Sequence, residues 1–189
     1  TTPFMDAQRA MKIIRTRAAE FGIAPDRIGI MGFSAGGHLA GFTAYQPDRT
    51  LYEGTDRFEN VSARPDFAVL LFPVVTLRKP YDTTRTRREI IGDKSGPAAE
   101  DQWSLDTYAA KDAPPTIIFA AADDPTTPPA HGLLLFEKLV AAGASAELHL
   151  FRDGGHGWGL GNPDQVISQW PMLFEKWAQT LKIVEKQGE

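Results

Sequence analysis

The sequence predicts an α/β fold in which helices cover both faces of one parallel, doubly wound sheet. The prediction depends on two observations. Four short apolar segments alternate with segments whose apolar residues recur at helical spacing. The first three apolar segments lack the polar alternation of a half-exposed strand, which is typical of strands covered on both faces. A single domain over residues 1–189 fits this length, because such a chain can bury a sizeable core.

The four predicted strands differ in composition. The three apolar strands are expected at residues 28–31, 67–72 and 116–121, and the first of them is too apolar for an exposed edge. The fourth strand, residues 146–151, alternates polar and apolar side chains as an edge strand does.

Helices are predicted between the strands wherever apolar residues recur every three or four positions. They span residues 4–21, 35–45, 130–142 and 164–184, and Gly22, Pro47 and Gly143 mark three of their ends. The polar tail at 185–189 is expected to fray.

Residues 76–106 form the least periodic stretch, with a short helix expected near 87–91. A long irregular segment within a domain is usually functional, so it is predicted to be a lid or substrate loop. Its basic cluster could hold an anionic or sugar substrate, or it could be a solvated face, which is the commoner role. The cluster consists of Arg85, Arg87 and Arg88.

Composition excludes several classes of function. The net charge of −4 and the pI near 5.6 give no indication of binding to nucleic acid or an anionic membrane. The absence of cysteine excludes disulfides and thiolate chemistry. No apolar run approaches the roughly 20 residues that span a bilayer, and no signal peptide is recognisable. Because the chain starts at Thr1 and not at a methionine, we expect either that residues were removed before it or that it was produced in a shortened form. Secreted, periplasmic and cytoplasmic locations all stay open.

The segment Gly32-Phe33-Ser34-Ala35-Gly36 fits the G-x-S-x-G pattern between a strand and a helix. In that setting the serine occupies a sharp, strained turn, and the flanking glycines avoid the clash that Cβ atoms would cause. The Ser34 hydroxyl then projects from the strand end as a nucleophile. The amide of Ala35, at a helix N-terminus, is predicted to bind an oxyanion.

A serine nucleophile needs a base and a carboxylate that orients the base. His156 is the predicted base, because it lies in a glycine-rich loop after the fourth strand, where parallel sheets carry their chemistry. His38 is expected to pack within its helix, and His131 and His149 lie on other elements. Asp123 and Asp124 both follow the third strand, and either could orient the imidazole.

Several motifs together resemble the α/β-hydrolase esterases related to bacterial acetylxylan esterases. The resemblance covers nearly the whole chain and is carried by the segments at residues 6–10, 26–40, 63–70, 114–116, 123–125 and 154–157. It implies that Asp124 is the acid, since an aspartate followed by x-x-x-Pro marks it in that family, with threonines here where valines are usual. It also implies hydrolysis of ester bonds, often of acetyl groups on xylan, without cofactor or metal.

One departure from the resembled family concerns the start of the fold. Its members carry earlier strands and a glycine-rich segment that donates a second oxyanion amide. We expect this chain to lack both, which would leave the strand at 28–31 with an open edge. The predicted partners are therefore a second copy of the chain or a fragment that supplies the strands.

The sequence thus predicts a serine carboxylesterase for short-acyl esters, with small-molecule or oligosaccharide substrates. Ser34, His156 and Asp124 are its catalytic residues, and Ala35 is its oxyanion donor. Phe33 and Trp158 are expected to contact substrate, although Trp158 could equally be a packing residue. The alternatives are a peptidase, a dienelactone-hydrolase-like enzyme or a non-catalytic binding module.

Overall fold

A four-stranded parallel sheet lies at the centre of the computed structural model, which describes residues 2–54 and 57–184. The strands are β1 (Gly29–Phe33), β2 (Phe67–Leu71), β3 (Thr116–Ala121) and β4 (Ala146–Phe151). They lie side by side in chain order, and each pair is parallel. The predicted parallel sheet is confirmed. Because all four strands run in the same direction, their carboxyl ends lie on the same side of the sheet.

Helices connect the strands and cover the sheet. They are α1 (Thr2–Thr16), α2 (Ala35–Tyr45), α3 (Arg85–Ile91), α4 (Pro97–Trp103), α5 (Ala130–Ala142) and α6 (Trp170–Thr180). Two 3₁₀ helices, Leu105–Tyr108 and Val166–Gln169, precede β3 and α6. Among the described residues, no helix is long and apolar enough to cross a membrane.

Successive side chains of each strand point to opposite faces of the sheet, so alternate residues belong to two separate cores. Leu70 and Ile118 pack on one face against α2 and α5, where Phe42 and Leu135 are buried. Leu71 and Phe119 pack on the opposite face against α6. Helices on both faces confirm the doubly wound architecture.

Two predicted helices are longer than the observed ones. The chain leaves α1 after Thr16 and forms turns, and Phe21 is half exposed, with the Arg17 guanidinium over its ring. The last helix begins at Trp170 rather than at 164. Pro171 follows at once, and a proline fits only the first turn of a helix because it lacks an amide hydrogen. The predicted frayed tail lies outside the described residues.

β1 differs from the buried strand that its composition predicts. Within the described residues it pairs only with β2, so it forms one edge of the sheet, and Met31 is 42% exposed. β4 forms the other edge of the sheet, so the edge position predicted from its alternating pattern is confirmed.

The segment at residues 76–106 is structured rather than loose. It contains α3 and α4, and its apolar residues Leu77, Trp103 and Leu105 are buried in the core that also holds α2. The predicted helix near 87–91 is confirmed but starts earlier, because the Thr84 hydroxyl accepts the Arg87 amide hydrogen as an N-cap.

Candidate active site

Ser34 occupies the turn between β1 and α2 in a conformation that few residues other than glycine adopt. Its φ is 54° and its ψ is −119°, which confirms the predicted strain. A Cβ on Gly32 would lie 2.0 Å from the carbonyl oxygen of Gly36, so only glycine fits there. The sequence predicted that a Cβ would clash at both flanking glycines. This is wrong for Gly36, where an added Cβ would meet nothing within 4 Å.

Backbone hydrogen bonds from β2 and from the segment after it fix this turn. The Ser34 amide donates to the carbonyl of Leu71 at 2.9 Å, and the Ser34 carbonyl accepts from the amides of His38 and Val74. The Ser34 side chain makes no capping hydrogen bond to α2, although it occupies the N-cap position. Its hydroxyl is therefore left for another partner.

That partner is His156, in the loop after β4. Nε2 of the imidazole lies 2.9 Å from Ser34 Oγ, and Nδ1 lies 2.8 Å from Oδ2 of Asp124. Because a carboxylate only accepts hydrogen bonds, Nδ1 carries the proton and Nε2 is the acceptor that faces the serine hydroxyl. The structure thus brings together three residues that the sequence separates by up to 122 positions.

The two aspartates after β3 have different partners. Oδ2 of Asp124 faces the imidazole, while Oδ1 accepts the amides of Thr126 and Thr127, both at 2.8 Å. Oδ1 of Asp123 instead accepts the amide of Gly155 at 2.8 Å, and this hydrogen bond lowers the pKa of Asp123. Of the two candidates that the sequence left open, Asp124 is thus the one that contacts the ring, and Asp123 holds the backbone beside it.

The other histidines have hydrogen-bond partners other than the serine hydroxyl. His38 is buried, as expected, and Nε2 of its ring lies 2.7 Å from the carbonyl oxygen of Trp103. Nδ1 of His131 accepts the amides of Val75 and Thr76. His149 pairs with Glu147 on β4.

Ala35 is the first residue of α2, so its amide is among the helix's unpaired N-terminal donors. This position beside Ser34 fits an oxyanion donor, and the helix dipole favours negative charge there.

An aromatic cluster lies on one side of the imidazole, and Phe72, the ring that contacts it, was not predicted from the sequence. Phe72 makes edge-to-face contacts with the rings of His156 and Trp158, at centroid distances of 4.8 Å and 4.3 Å. Phe33 lies beside Phe72 and Trp170. Trp158 packs against the core formed with α6, which favours its packing role; substrate contact by Phe33 or Trp158 stays a prediction.

Phe72 also has a positive φ of 38°, unusual for a bulky residue. In the sequence it is simply the last apolar residue of a buried strand before Pro73, so nothing in the pattern sets it apart.

A cavity of about 520 Å³ opens beside Ser34. Its walls come from the start of α1, the first turns of α2, Val74, α3 with its N-cap, and the turn after Asp124. The segment 76–106 therefore reaches the site through α3, although its role as a lid stays a prediction.

The basic cluster on α3 splits into two environments. Arg85 and Arg88 are exposed, as a solvated face predicts. That interpretation is wrong for Arg87, which is buried: its guanidinium donates to Glu100 at 2.8 Å and to the carbonyls of Gly92 and Ser95.

Residues 2–139 match the BD-FAE family model. The chain belongs to the BD-FAE family. Over 188 residues it is 29% identical to an acetylxylan esterase of Xylanibacter ruminicola, covering 96% of this chain and 36% of that protein. It thus spans about a third of that relative's length.

Solved esterase structures share the fold of this BD-FAE member. An acetyl ester-xyloside bifunctional hydrolase from Caldicellulosiruptor lactoaceticus superposes with a TM-score of 0.88 at 32% identity, covering 96% of this chain and 66% of that one. The propionate-bound esterase Est2 of Thermogutta terrifontis gives a TM-score of 0.81 at 29% identity, with coverages of 98% and 67%. The predicted resemblance and the α/β-hydrolase fold class are confirmed.

Proposed function

We propose that this chain is a serine ester hydrolase in which Ser34, His156 and Asp124 act as a catalytic triad. The observation that carries the proposal is the continuous hydrogen-bonded path from Ser34 Oγ through both ring nitrogens of His156 to Asp124 Oδ2, with both distances under 3 Å. A serine hydroxyl becomes a useful nucleophile when a base accepts its proton, and the carboxylate keeps that base in the required tautomer.

The reaction proceeds in two half-reactions. Ser34 Oγ attacks the ester carbonyl carbon while His156 Nε2 takes its proton, and the tetrahedral intermediate places its oxyanion at the Ala35 amide. The intermediate collapses to an acyl-enzyme as His156 returns the proton to the leaving alcohol. Water then attacks the acyl carbon by the same route, which releases the carboxylic acid and restores Ser34.

Short-acyl esters of carbohydrates are the proposed substrates. The acetylxylan esterase and the acetyl ester-xyloside hydrolase among the similar proteins support this class, and the esterase solved with propionate supports the short acyl group alone. The cavity beside Ser34 has room for a small acyl group but also for a larger one, so its volume alone does not define the chain length.

The test combines active-site labelling with a substrate panel. We expect a fluorophosphonate to label the wild-type protein on Ser34 and to leave Ser34→Ala unlabelled. Hydrolysis of p-nitrophenyl acetate and acetylated xylan, lost in Ser34→Ala, would support the esterase. Preferential turnover of peptide amides or dienelactone would redirect the proposal to those activities. A folded protein that is neither labelled nor active would contradict the proposal and favour a binding module.

We also propose that a further strand covers the free edge of β1, contributed either by a second copy of this chain or by a separate fragment. The exposure of Met31 on an edge strand supports this, because open apolar edges invite pairing. Light scattering coupled to size-exclusion chromatography is expected to report a dimer, or a complex when such a fragment is added. A monodisperse monomer that ignores the fragment would contradict it.

A further inference from the structure

Phe72 contacts the imidazole of His156 from outside the hydrogen-bonded path of the proposed triad. The centroids of the two rings are 4.8 Å apart, and the angle between the ring planes is 66°. Phe72 is 4% exposed, so the protein encloses its ring, whereas the side chain of His156 is 23% exposed. The imidazole therefore has a buried aromatic ring on one side and accessible space into which it can turn.

Phe72 is itself held through its backbone and its ring. Its amide donates to the carbonyl of Phe119 at 2.7 Å, which ties the residue to β3 although its φ is 38°. The indole of Trp158 packs on its ring at a centroid distance of 4.3 Å. A positive φ at a bulky residue is costly and persists where the surrounding structure enforces it. Phe72 is thus a fixed support for the imidazole beside it.

The two hydrogen bonds of His156 restrain its ring incompletely. One joins Nε2 to Ser34 Oγ at 2.9 Å, and the other joins Nδ1 to Asp124 Oδ2 at 2.8 Å. Hydrogen bonds of a ring nitrogen are directed along the ring plane, so this pair resists only weakly a tilt about the line through the two nitrogens. The ring of Phe72 packs at a steep angle to that plane and opposes the tilt.

The proposed reaction removes one of these hydrogen bonds. In the acyl-enzyme, Ser34 Oγ carries the acyl group instead of a hydrogen, so it no longer donates to Nε2. The imidazole is then held by Asp124 alone, yet it must take a proton from the water that attacks the acyl carbon. As the bond between that carbon and Oγ breaks, Nε2 passes the proton to Oγ, which releases the acid and restores the serine.

We propose that Phe72 is a positioning residue for the second half-reaction, in which it keeps the imidazole of His156 aligned while Ser34 is acylated. This inference rests on the proposed esterase function. Loss of the Phe72 ring slows deacylation more than acylation, because the Ser34 hydrogen bond helps to hold the imidazole only before acylation. A general defect in packing would instead slow both steps together.

The informative variant is Phe72→Leu, which removes the ring but keeps an apolar side chain. Phe72→Tyr retains the ring and tests for rescue. Phe119→Leu makes the matched change at a buried phenylalanine of the same core. The ring of Phe119 stacks on His149, a histidine outside the proposed triad, at a centroid distance of 5.3 Å. Circular dichroism and urea unfolding establish that each variant is folded.

The two half-reactions are measured separately with p-nitrophenyl acetate. With enzyme in excess, the single-turnover release of p-nitrophenol gives the acylation rate. The steady-state kcat combined with that rate gives the deacylation rate. We expect Phe72→Leu to slow deacylation about 10-fold and acylation less than about three-fold, as a small misalignment of the base would do. An acetyl adduct on Ser34 should then accumulate in the intact mass of this variant. Phe72→Tyr and Phe119→Leu are expected to keep the wild-type ratio of the two rates.

A ratio of deacylation to acylation in Phe72→Leu within about three-fold of the wild-type ratio overturns the inference. An equal shift in Phe119→Leu or in Phe72→Tyr overturns it as well. If Phe72→Leu does not fold, Phe72→Met takes its place, because methionine fills irregular space without a ring. All these outcomes leave the esterase proposal standing, provided that wild-type turnover depends on Ser34. If Ser34→Ala hydrolyses the ester as fast as the wild type, the proposed function fails and the inference fails with it.

Discussion

Asp124 contacts the imidazole of His156 with one carboxylate oxygen and shapes its own turn with the other. Oδ2 lies 2.8 Å from Nδ1 of the ring, and Oδ1 accepts two backbone amides at the same distance. The carboxylate is thus locked in rotation before any substrate arrives. The neighbouring Asp123 accepts the amide of Gly155, so two consecutive aspartates hold both the backbone and the imidazole of the histidine loop.

The two aspartates give a matched pair of variants. Asp124→Asn is expected to lower kcat by about 10³- to 10⁴-fold, because an amide no longer holds the imidazole in the tautomer that accepts the serine proton. Asp123→Asn keeps an oxygen that accepts the Gly155 amide and is expected to lower kcat by less than about 10-fold. The measurement is steady-state hydrolysis of p-nitrophenyl acetate, with circular dichroism to establish folding. Equal losses in the two variants would contradict the assigned roles.

The two glycines around Ser34 are expected to respond in opposite ways to alanine. Gly32→Ala forces a Cβ against the carbonyl of Gly36 and should lower the free energy of unfolding by about 3 kcal/mol or prevent folding.

Gly36→Ala meets no atom and lies in α2, where alanine is favoured over glycine by roughly 0.5–1 kcal/mol, so stability should rise. Urea unfolding measures both variants. A destabilised Gly36→Ala would show that the second glycine of the motif is also required by the fold.

Two buried histidines are expected to make stability depend on pH. Burial lowers the pKa of His38 and of His131 to about 4, against an ordinary value of 6.5. The unfolded chain therefore binds protons between pH 6.5 and 4 that the folded protein excludes, and stability falls as the pH falls through that window. Each histidine contributes roughly 3 kcal/mol over the whole window.

Urea unfolding at several pH values tests this dependence, with His131→Asn as the informative variant. Asparagine offers an oxygen near the position of Nδ1, so the amides of Val75 and Thr76 keep an acceptor while the titrating group is removed. The slope of stability against pH should decrease by about half. An unchanged slope would mean that other groups dominate the acid response.

Substitutions of Arg87 and of Arg88 are expected to change the stability of the protein by very different amounts, although the two residues are adjacent and chemically identical. Arg87→Met leaves Glu100, whose side chain is 13% exposed, as a largely buried charge without its partner and should cost about 3 kcal/mol. Arg88→Met removes an exposed charge and should stay within about 0.5 kcal/mol.

The double variant Arg87→Met/Glu100→Gln is expected to recover part of the loss, because no buried charge is then left unpaired. Thermal and urea unfolding provide the measurement. If Arg87→Met unfolds like the wild type, the ion pair contributes nothing and α3 is held by its apolar contacts alone.

The parts of the site that could be predicted from the sequence are those that local rules dictate. Ser34 lies in a turn whose residue types allow few conformations, and Asp124 and His156 directly follow strands whose ends must meet in a parallel sheet. The parallel sheet itself followed from the alternation of strands and helices.

The parts that could not be predicted depend on contacts distant in the chain. Arg87 has the same sequence signal as its neighbours, and its burial depends on partners later in the chain, the carbonyls of Gly92 and Ser95 and the carboxylate of Glu100. Phe72 is one more apolar residue until the ring of His156 packs on it. The free space beside Gly36 likewise depends on where the neighbouring elements lie, which the local sequence does not show.

The attachment of the histidine loop at Gly155 and His156 has a consequence for how such sites can diversify. Beyond these points, Trp158 packs on Phe72 and the Gly159 carbonyl accepts the indole N–H of Trp170, but residues 162–165 are exposed. That short stretch can change in length or composition while the imidazole keeps its alignment, so new binding surfaces can be added there without moving the proposed triad.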